Sequence, residues 1–234
     1  MREKEFIDSL SLAFNQHADP KTAIEMKAYL RNQFEFFGIQ TPTRRSIYKD
    51  LPQLPKDPQF ILKIANELWE KTEREYRYVA CDLLIKNAKI FTITDLLAFK
   101  KLLQKDSWWE TVDSLSSAIG DIVLNEKLKQ RQSQNVMDEW LLDSDHWVRR
   151  SAMIHQLGWK THTDANRLSR YALTLSSESE FFIRKAIGWA FRDYAKCNPT
   201  FVKNFMHQNK AVFSNLTFKE ATKNLQSLGK THCC

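Results

Sequence analysis

The chain has 234 residues, 43% of them hydrophobic and 27% charged, and this balance excludes fibrous and intrinsically disordered proteins. Lysine and arginine number 35 against 28 for aspartate and glutamate, so the net charge of +7 makes a polyanion the first partner class to consider. With only 5 glycines and 6 prolines, the chain has few residues for tight β-turns, which favours helices.

The start of the chain and its cysteines bear on location and metal binding. No run of about 18 apolar residues is present, and the opening MREKEFIDSL lacks the hydrophobic centre of a signal peptide. The four cysteines, Cys81, Cys197, Cys233 and Cys234, form no CxxC motif and have no histidines at zinc-ligand spacing. We therefore expect a cytoplasmic protein with reduced thiols, no metal and no cofactor.

Apolar residues recur at spacings of three and four through most of the chain, which predicts about a dozen helices. No segment has the composition of a linker, so we expect one domain over residues 1–228 and a flexible tail over 229–234. The turns between helices are expected at polar or proline-marked gaps, which in chain order are His17–Lys21, Gly38–Thr41, Pro52–Asp57, Lys105–Trp108, Asp143–Asp145, Ser176–Ser179 and Cys197–Pro199.

Three of the predicted helices carry similar segments. WETVDS, WVRRSA and FIRKAI begin at Trp109, Trp147 and Phe182, with offsets of 38 and then 35 residues, and a weaker copy, EYRYVA, begins at Glu75. Periods of this length are typical of stacked helix pairs that curve around a concave surface. The sequence therefore predicts an all-α superhelical solenoid of HEAT-like helix pairs, and the net positive charge makes a polyanion such as DNA the expected occupant of its concave basic groove.

The segment GIQTPTRR is the first candidate binding element in chain order. Pro42 is expected at the first helical position, which places Arg44 and Arg45 in the first turn. Cations at that end of a helix oppose the helix dipole, and a bound anion such as a phosphate would relieve the conflict. Two solvated arginines are the alternative.

The segment SWWETVDS is a candidate catalytic element. Helical spacing groups Trp108 with the apolar face and leaves Trp109 and Asp113, four residues apart, on an adjacent face. We therefore expect Trp108 to be buried and the other two to be presented. A carboxylate beside an indole can stabilise a developing cation, although Asp113 could equally be an ordinary helix-surface residue.

Two later helices carry candidate phosphate contacts. In WVRRSAMIHQL, Arg150 borders the inward face, whereas Arg149 points away and is expected to be solvated or a distant phosphate contact. In the helix predicted over 180–196, a basic stripe beside the core residue Phe182 suggests contact with phosphates and bases, or a core-edge tryptophan covered by lysine stems. The stripe consists of Lys185, Trp189, Arg192 and Lys196.

Together these segments resemble the AlkD family of bacterial DNA alkylation repair glycosylases, which are built from HEAT-like repeats. The resemblance runs nearly end to end. It is carried by MKAYLRNQFEFFGIQTPTRR, ELWEKTEREYRYVACDLL, SWWETVDS, WVRRSAMIHQL and EFFIRKAIGWAFRDYAKCNP.

The resemblance implies base excision repair, in which the N-glycosidic bond of positively charged 3-methyladenine or 7-methylguanine in duplex DNA is hydrolysed without metal or cofactor. It also implies that Asp113 assists bond cleavage with Trp109 and Trp189, that Arg150 contacts DNA, and that Tyr29 lies near the lesion. We expect a monomer that associates with the nucleoid when on DNA. The alternatives are a non-catalytic HEAT-repeat DNA-binding protein and a helical scaffold that binds other proteins.

Overall fold

A computed structural model of the chain describes residues 3–129, 133–223 and 225. Within these ranges the protein has thirteen α-helices, three short 3₁₀-helices and no strand, with a single isolated β-bridge between Glu35 and Glu73. The predicted all-α class is confirmed. None of these helices combines the length and the apolar composition that crossing a membrane requires.

The chain divides into two compact units, residues 1–91 and 92–234. The expected single domain over residues 1–228 stays a prediction, and the expected tail at 229–234 lies outside the described residues.

From residue 3 onward, the first unit forms five α-helices around a core that includes Phe6, Leu10 and Phe14. Helix α4 packs along α5, while α3 packs on both α1 and α5. The helices are α1 (Glu3–Gln16), α2 (Pro20–Tyr29), α3 (Thr41–Asp50), α4 (Pro58–Trp69) and α5 (Arg74–Lys86), followed by a 3₁₀ turn at Ala88–Ile90.

A buried carboxylate fixes the segment before α3. Glu75 accepts hydrogen bonds from the backbone N–H groups of Phe37, Gly38 and Ile39 at 3.1, 2.9 and 3.0 Å. Gly38 has φ +88°, and a Cβ there would lie 2.1 Å from the carbonyl oxygen of Asp19, so this position requires glycine. The backbone donors thus compensate for burying Glu75 and hold the loop against α5.

The described residues of the second unit form eight α-helices. They are α6 (Leu96–Leu103), α7 (Trp109–Leu128), α8 (Asn135–Trp140), α9 (His146–Ile154), α10 (Ala165–Thr174), α11 (Phe181–Tyr194), α12 (Pro199–Gln208) and α13 (Asn215–Thr222). Two 3₁₀ turns lie at Ile93–Asp95 and Lys160–His162.

The predicted turns lie at helix boundaries, and capping side chains mark most of these, although α3 and α7 begin without one. The side chains of Asp19, Asp57, Asp145, Glu180 and Asn198 each accept a backbone N–H in the first turn of the helix that follows. Three of these helices, α2, α4 and α12, also begin with proline, which has no N–H to leave unsatisfied there.

The repeated segments lie on helices that pack in series. WETVDS opens α7, WVRRSA lies on α9 and FIRKAI lies on α11, while α7 packs on α9 and α9 on α11. The weaker copy, EYRYVA, lies on α5 in the other unit. This serial packing is what a helical repeat requires within the second unit, and the superhelical solenoid stays a prediction.

Helix α11 also packs closely on α13, and Gly188 makes this approach possible. A Cβ on Gly188 would lie 2.5 Å from the Cβ of Glu220 and 3.0 Å from the carbonyl oxygen of Thr217. Any larger residue would have to push α13 away. The absent side chain therefore brings Glu220 against the face of α11 that carries the predicted basic stripe.

Candidate active site

A cavity of about 320 Å³ in the second unit gathers residues from four helices. Six of the ten predicted site residues line it, although they come from widely separated segments. The lining consists of Trp109 and Asp113 from α7, Arg150 from α9, Phe181, Phe182, Lys185, Trp189 and Arg192 from α11, and Glu220 from α13.

Asp113 and Arg150 form a bidentate ion pair at the cavity wall. The Nε and Nη2 of Arg150 donate to the two carboxylate oxygens of Asp113 at 2.8 and 3.0 Å. The remaining Nη1 donates to the carbonyl oxygen of Phe182. Arg150 is only 4% exposed and its guanidinium is already engaged, so its expected contact with DNA stays a prediction.

Burial and the ion pair act in opposite directions on the pKa of Asp113. Burial raises the pKa of this carboxyl above its ordinary value, and the hydrogen bonds and positive charge of Arg150 counter part of that rise. Acidification would therefore neutralise Asp113 at a higher pH than an exposed aspartate. The geometry also fixes the carboxylate, since both oxygens are held by one rigid guanidinium.

Aromatic rings form much of the cavity wall. Trp109 and Trp189 are both half-buried, which agrees with the expectation that they are presented. The guanidinium carbon of Arg150 lies 5.9 Å from the ring centroid of Trp189 and the same distance from that of Phe182. Such faces favour a cationic or apolar group in the cavity.

Two aromatic side chains lie elsewhere than expected. Trp108 is half-buried, not in the core, with its ring centroid 5.9 Å from that of Trp147 and 5.3 Å from that of Phe182. Phe182, expected in the core, is also half-buried and lines the cavity. Spacing along one helix gives the direction of a side chain, but not how deeply the neighbouring helices cover it.

Each cation of the predicted basic stripe contacts a carboxylate in the structure. Glu220 accepts from Lys185 Nζ at 2.5 Å through one oxygen and contacts Nη1 of Arg192 through the other. Lys196 does not line the cavity, and its ammonium lies 2.7 Å from a carboxylate oxygen of Asp193. The stripe therefore carries less net positive charge than the sequence of α11 alone indicates.

Arg149 is not solvated as expected. It forms an ion pair with Glu178 at 2.8 Å, and its Nη1 donates to the backbone carbonyls of Asp143 and Ser144 at 2.7 and 2.8 Å. These contacts tie the start of α9 to the segment before α11, so Arg149 has a structural place outside the cavity.

In the first unit, Arg44 and Arg45 share one carboxylate. Their Nη2 atoms lie 3.1 and 3.3 Å from the two oxygens of Asp82, and the Arg44 guanidinium carbon is 4.9 Å from the ring centroid of Tyr78. The predicted anion at this helix start is thus supplied by Asp82. Arg44 is buried and already paired, so its expected contact with a phosphate stays a prediction, whereas the Arg45 side chain is 65% exposed.

Tyr29 ends α2 in the first unit and is 72% exposed. Its expected position near the lesion stays a prediction. Among residues 3–129, 133–223 and 225, no group of three or more histidine, cysteine, aspartate or glutamate side chains is placed to hold a metal ion.

Sequence reasoning missed Glu220, Phe181 and Asp82. A usable signal is the repeat period, since paired charges on neighbouring repeats are separated by about one period. Asp113 and Arg150 are 37 residues apart, Lys185 and Glu220 are 35, and Arg44 and Asp82 are 38. Opposite charges at the repeat offset therefore predict contacts that periodicity within a single helix cannot.

Comparison with known proteins relates this arrangement to a family. The family described as DNA alkylation repair enzyme matches residues 10–225. A structure named "Predicted DNA alkylation repair enzyme from Enterococcus faecalis" is 31% identical, with a TM-score of 0.78, and the match covers 88% of this chain and 95% of that one.

The structure of AlkD2 from Streptococcus mutans is 22% identical, with a TM-score of 0.56, over 85% of this chain and 98% of that one. At that identity the likeness concerns the fold. No curated protein matches the chain. From the family match over residues 10–225, together with the 31% identical structure, it follows that this chain belongs to the DNA alkylation repair enzyme family.

Proposed function

We propose that this protein is a DNA glycosylase that hydrolyses the N-glycosidic bond of positively charged N3- and N7-alkylated purines, such as 3-methyladenine and 7-methylguanine, in duplex DNA. The observation that carries the proposal is the Asp113 carboxylate, held by Arg150 at the wall of a cavity lined by Trp109 and Trp189. Membership of the DNA alkylation repair enzyme family supports DNA as the partner.

The chemistry suits a site without a general acid. An alkylated purine that already carries a positive charge leaves as a neutral base, so no group has to protonate it. As the bond breaks, the positive charge moves to the sugar, and a nearby carboxylate stabilises that charge. Asp113 could in addition orient the attacking water.

The size of this effect can be bounded. A carboxylate about 4 Å from a unit charge contributes roughly 4 kcal/mol at an effective dielectric of about 20, or about three powers of ten in rate. Arg150 reduces this, because its own positive charge lies against the same carboxylate. In return, the rigid pair avoids reorientation during the reaction, so the carboxylate is already placed when the sugar becomes cationic.

The aromatic walls and the exposed cations have separate roles in this proposal. Trp109 and Trp189 face the cationic sugar or base and contribute about 0.5–2 kcal/mol each. Lys185, Arg192, Lys196 and Arg45 are the proposed contacts to backbone phosphates, whereas Arg150 acts through the Asp113 carboxylate that it holds in place. Phosphate contacts of this kind would provide register and affinity.

The direct test is single-turnover release of 7-methylguanine from methylated duplex DNA at saturating enzyme. The wild-type protein is expected to release the free base and leave an abasic site. Asp121→Asn is a matched control, because Asp121 is an exposed carboxylate on the same helix and does not line the cavity. Wild-type protein that binds duplex DNA but releases no base would contradict the proposal and support a non-catalytic DNA-binding protein.

A further inference from the structure

The Glu220 carboxylate occupies the two cations of α11 that the proposed function assigns to DNA phosphates. One oxygen lies 2.5 Å from Lys185 Nζ, and the other contacts the guanidinium of Arg192. A single anion that bridges an ammonium and a guanidinium has the geometry of a bound phosphate group. In the absence of DNA, Glu220 therefore stands where a phosphate would bind.

The three side chains differ in their access to solvent. The Glu220 side chain is 12% exposed, whereas those of Lys185 and Arg192 are 36% and 27% exposed. All three side chains line the cavity, and the two cations are more exposed to solvent than the carboxylate that they share. A phosphate that approaches from the cavity meets cations that are already half neutralised.

Close helix packing holds the carboxylate in this position. Gly188 lies between Lys185 and Arg192 in the sequence of α11, and its missing Cβ leaves room for the Cβ and Cγ of Glu220. Thr217, one turn earlier on α13, donates a hydrogen bond to the carbonyl oxygen of Arg184 at 3.0 Å. These contacts keep Glu220 against the two cations.

We propose that Glu220 is an internal competitor for backbone phosphates, which lowers the affinity of the cavity for undamaged DNA. This inference rests on the proposed function, since it requires DNA to contact Lys185 and Arg192. A lower affinity for undamaged duplex DNA would let the protein dissociate rapidly and move to other sites on the DNA. The residue acts through the two cations and is a regulator of binding, not a catalytic residue.

The test measures binding of undamaged duplex DNA as a function of salt concentration for the wild type, Glu220→Gln and Glu178→Gln. Glu178→Gln is the matched control: it removes the same charge from an ion pair outside the cavity, and backbone carbonyls still hold its partner, Arg149. Glu220→Gln is expected to bind about three to ten times more tightly at low salt. Its plot of log affinity against log salt should steepen by about 0.9 for each phosphate newly neutralised.

Equal affinity and equal salt slope for the two variants would overturn the inference while leaving the proposed function intact. Weaker binding by a folded Glu220→Gln protein would also overturn it, because Glu220 would then be positioning the cations for DNA. If none of the three proteins binds duplex DNA, both the inference and the proposed function are wrong. Should Glu220→Gln fail to fold, Glu220→Asp withdraws the carboxylate by one methylene and must still show a gain in affinity.

Discussion

Both units of the molecule place a buried arginine against a carboxylate, but the surroundings of the two pairs differ. In the first unit Arg44 lies between Asp82 and the ring of Tyr78, and the nearby cavity of about 500 Å³ is lined by neither Arg44 nor Asp82. In the second unit Arg150 and Asp113 both line an aromatic cavity. An arginine–carboxylate pair is therefore a common way to join neighbouring helices, and a cavity beside it is what suggests chemistry.

The largest expected effect separates these two carboxylates. Asp113→Asn should slow release of 7-methylguanine by about 10²–10⁴-fold, because the charge that faces the developing cation is lost. Asp82→Asn should leave the single-turnover rate at saturating enzyme within about threefold of the wild type, since its charge lies outside the cavity. A folded Asp113→Asn protein with the wild-type rate would contradict the proposed role of Asp113 in bond cleavage.

Stability has to be controlled in that experiment. Asp113→Asn leaves Arg150 buried without its anion, which typically costs about 3–5 kcal/mol of unfolding free energy. The double variant Asp113→Asn with Arg150→Gln removes both charges and should regain much of that stability. If stability returns without activity, the loss of activity belongs to the carboxylate and not to unfolding.

The next effect is a loss of stability at low pH, which is expected because the second unit contains a buried histidine. His155 in the second unit is fully buried, and burial lowers its pKa to about 4, while His17 in the first unit is exposed. The unfolded chain binds this proton near pH 6.5, so stability is full above that pH. As the pH falls from 6.5 to 4, about 3 kcal/mol of unfolding free energy should be lost.

Urea unfolding at pH 7 and pH 4 measures this loss. The variant His155→Gln should have a smaller difference between the two pH values, because no buried imidazole remains to be protonated. His17→Gln should behave as the wild type. If the wild type and His155→Gln lose the same free energy, another group causes the acid sensitivity.

A smaller effect distinguishes the tryptophans of the second unit. Trp189→Ala should slow excision by about 2- to 30-fold, through loss of a ring face that meets the cationic sugar or base. Trp108→Ala should mainly reduce stability, by about 2–3 kcal/mol, because its ring packs edge-on against Trp147 and Phe182. Excision rates and thermal melts of the two variants test both predictions. A stable Trp108→Ala protein with the poorer excision would reverse the assignment.

The smallest expected effect is a change in the salt dependence of DNA binding, and it tests whether both units contact DNA. Arg45 and Lys196 are a matched pair, since each side chain is 65% exposed and each contacts a carboxylate, at 3.3 and 2.7 Å. If both contact phosphates, Arg45→Gln and Lys196→Gln should each reduce the slope of log affinity against log salt by about 0.9. A reduction for Lys196→Gln alone would remove Arg45 from the proposed DNA contacts.

The sequence predicted the helical class and most helix starts because their determinants are local. Asp57 and Pro58 mark the start of α4, and Asn198 and Pro199 mark the start of α12, whatever the rest of the chain does. The pairing of Trp109 with Asp113 was likewise readable from helical spacing. Both residues do line the cavity.

The ion-pair partners could not be predicted from single helices. The sequence of α9 does not show that α7 supplies Asp113 to Arg150, and the sequence of α3 does not show that α5 supplies Asp82 to Arg44. Which helix lies beside which is decided by packing over 35 or more residues, and the depth of Trp108 or Phe182 depends on the same packing. The ion-pair partner of a given residue is therefore decided by tertiary packing, and the repeat period only reduces the number of candidate partners.

The three backbone amides that donate to Glu75 allow local opening of the first unit to be measured by hydrogen exchange. Their protons are shared with a buried carboxylate, so they can exchange with deuterium from the solvent only when the loop leaves α5. Slow exchange at Phe37, Gly38 and Ile39 would report the opening of that unit alone. Measured beside amides of α7, it would tell whether the two units open together or as separate cooperative blocks.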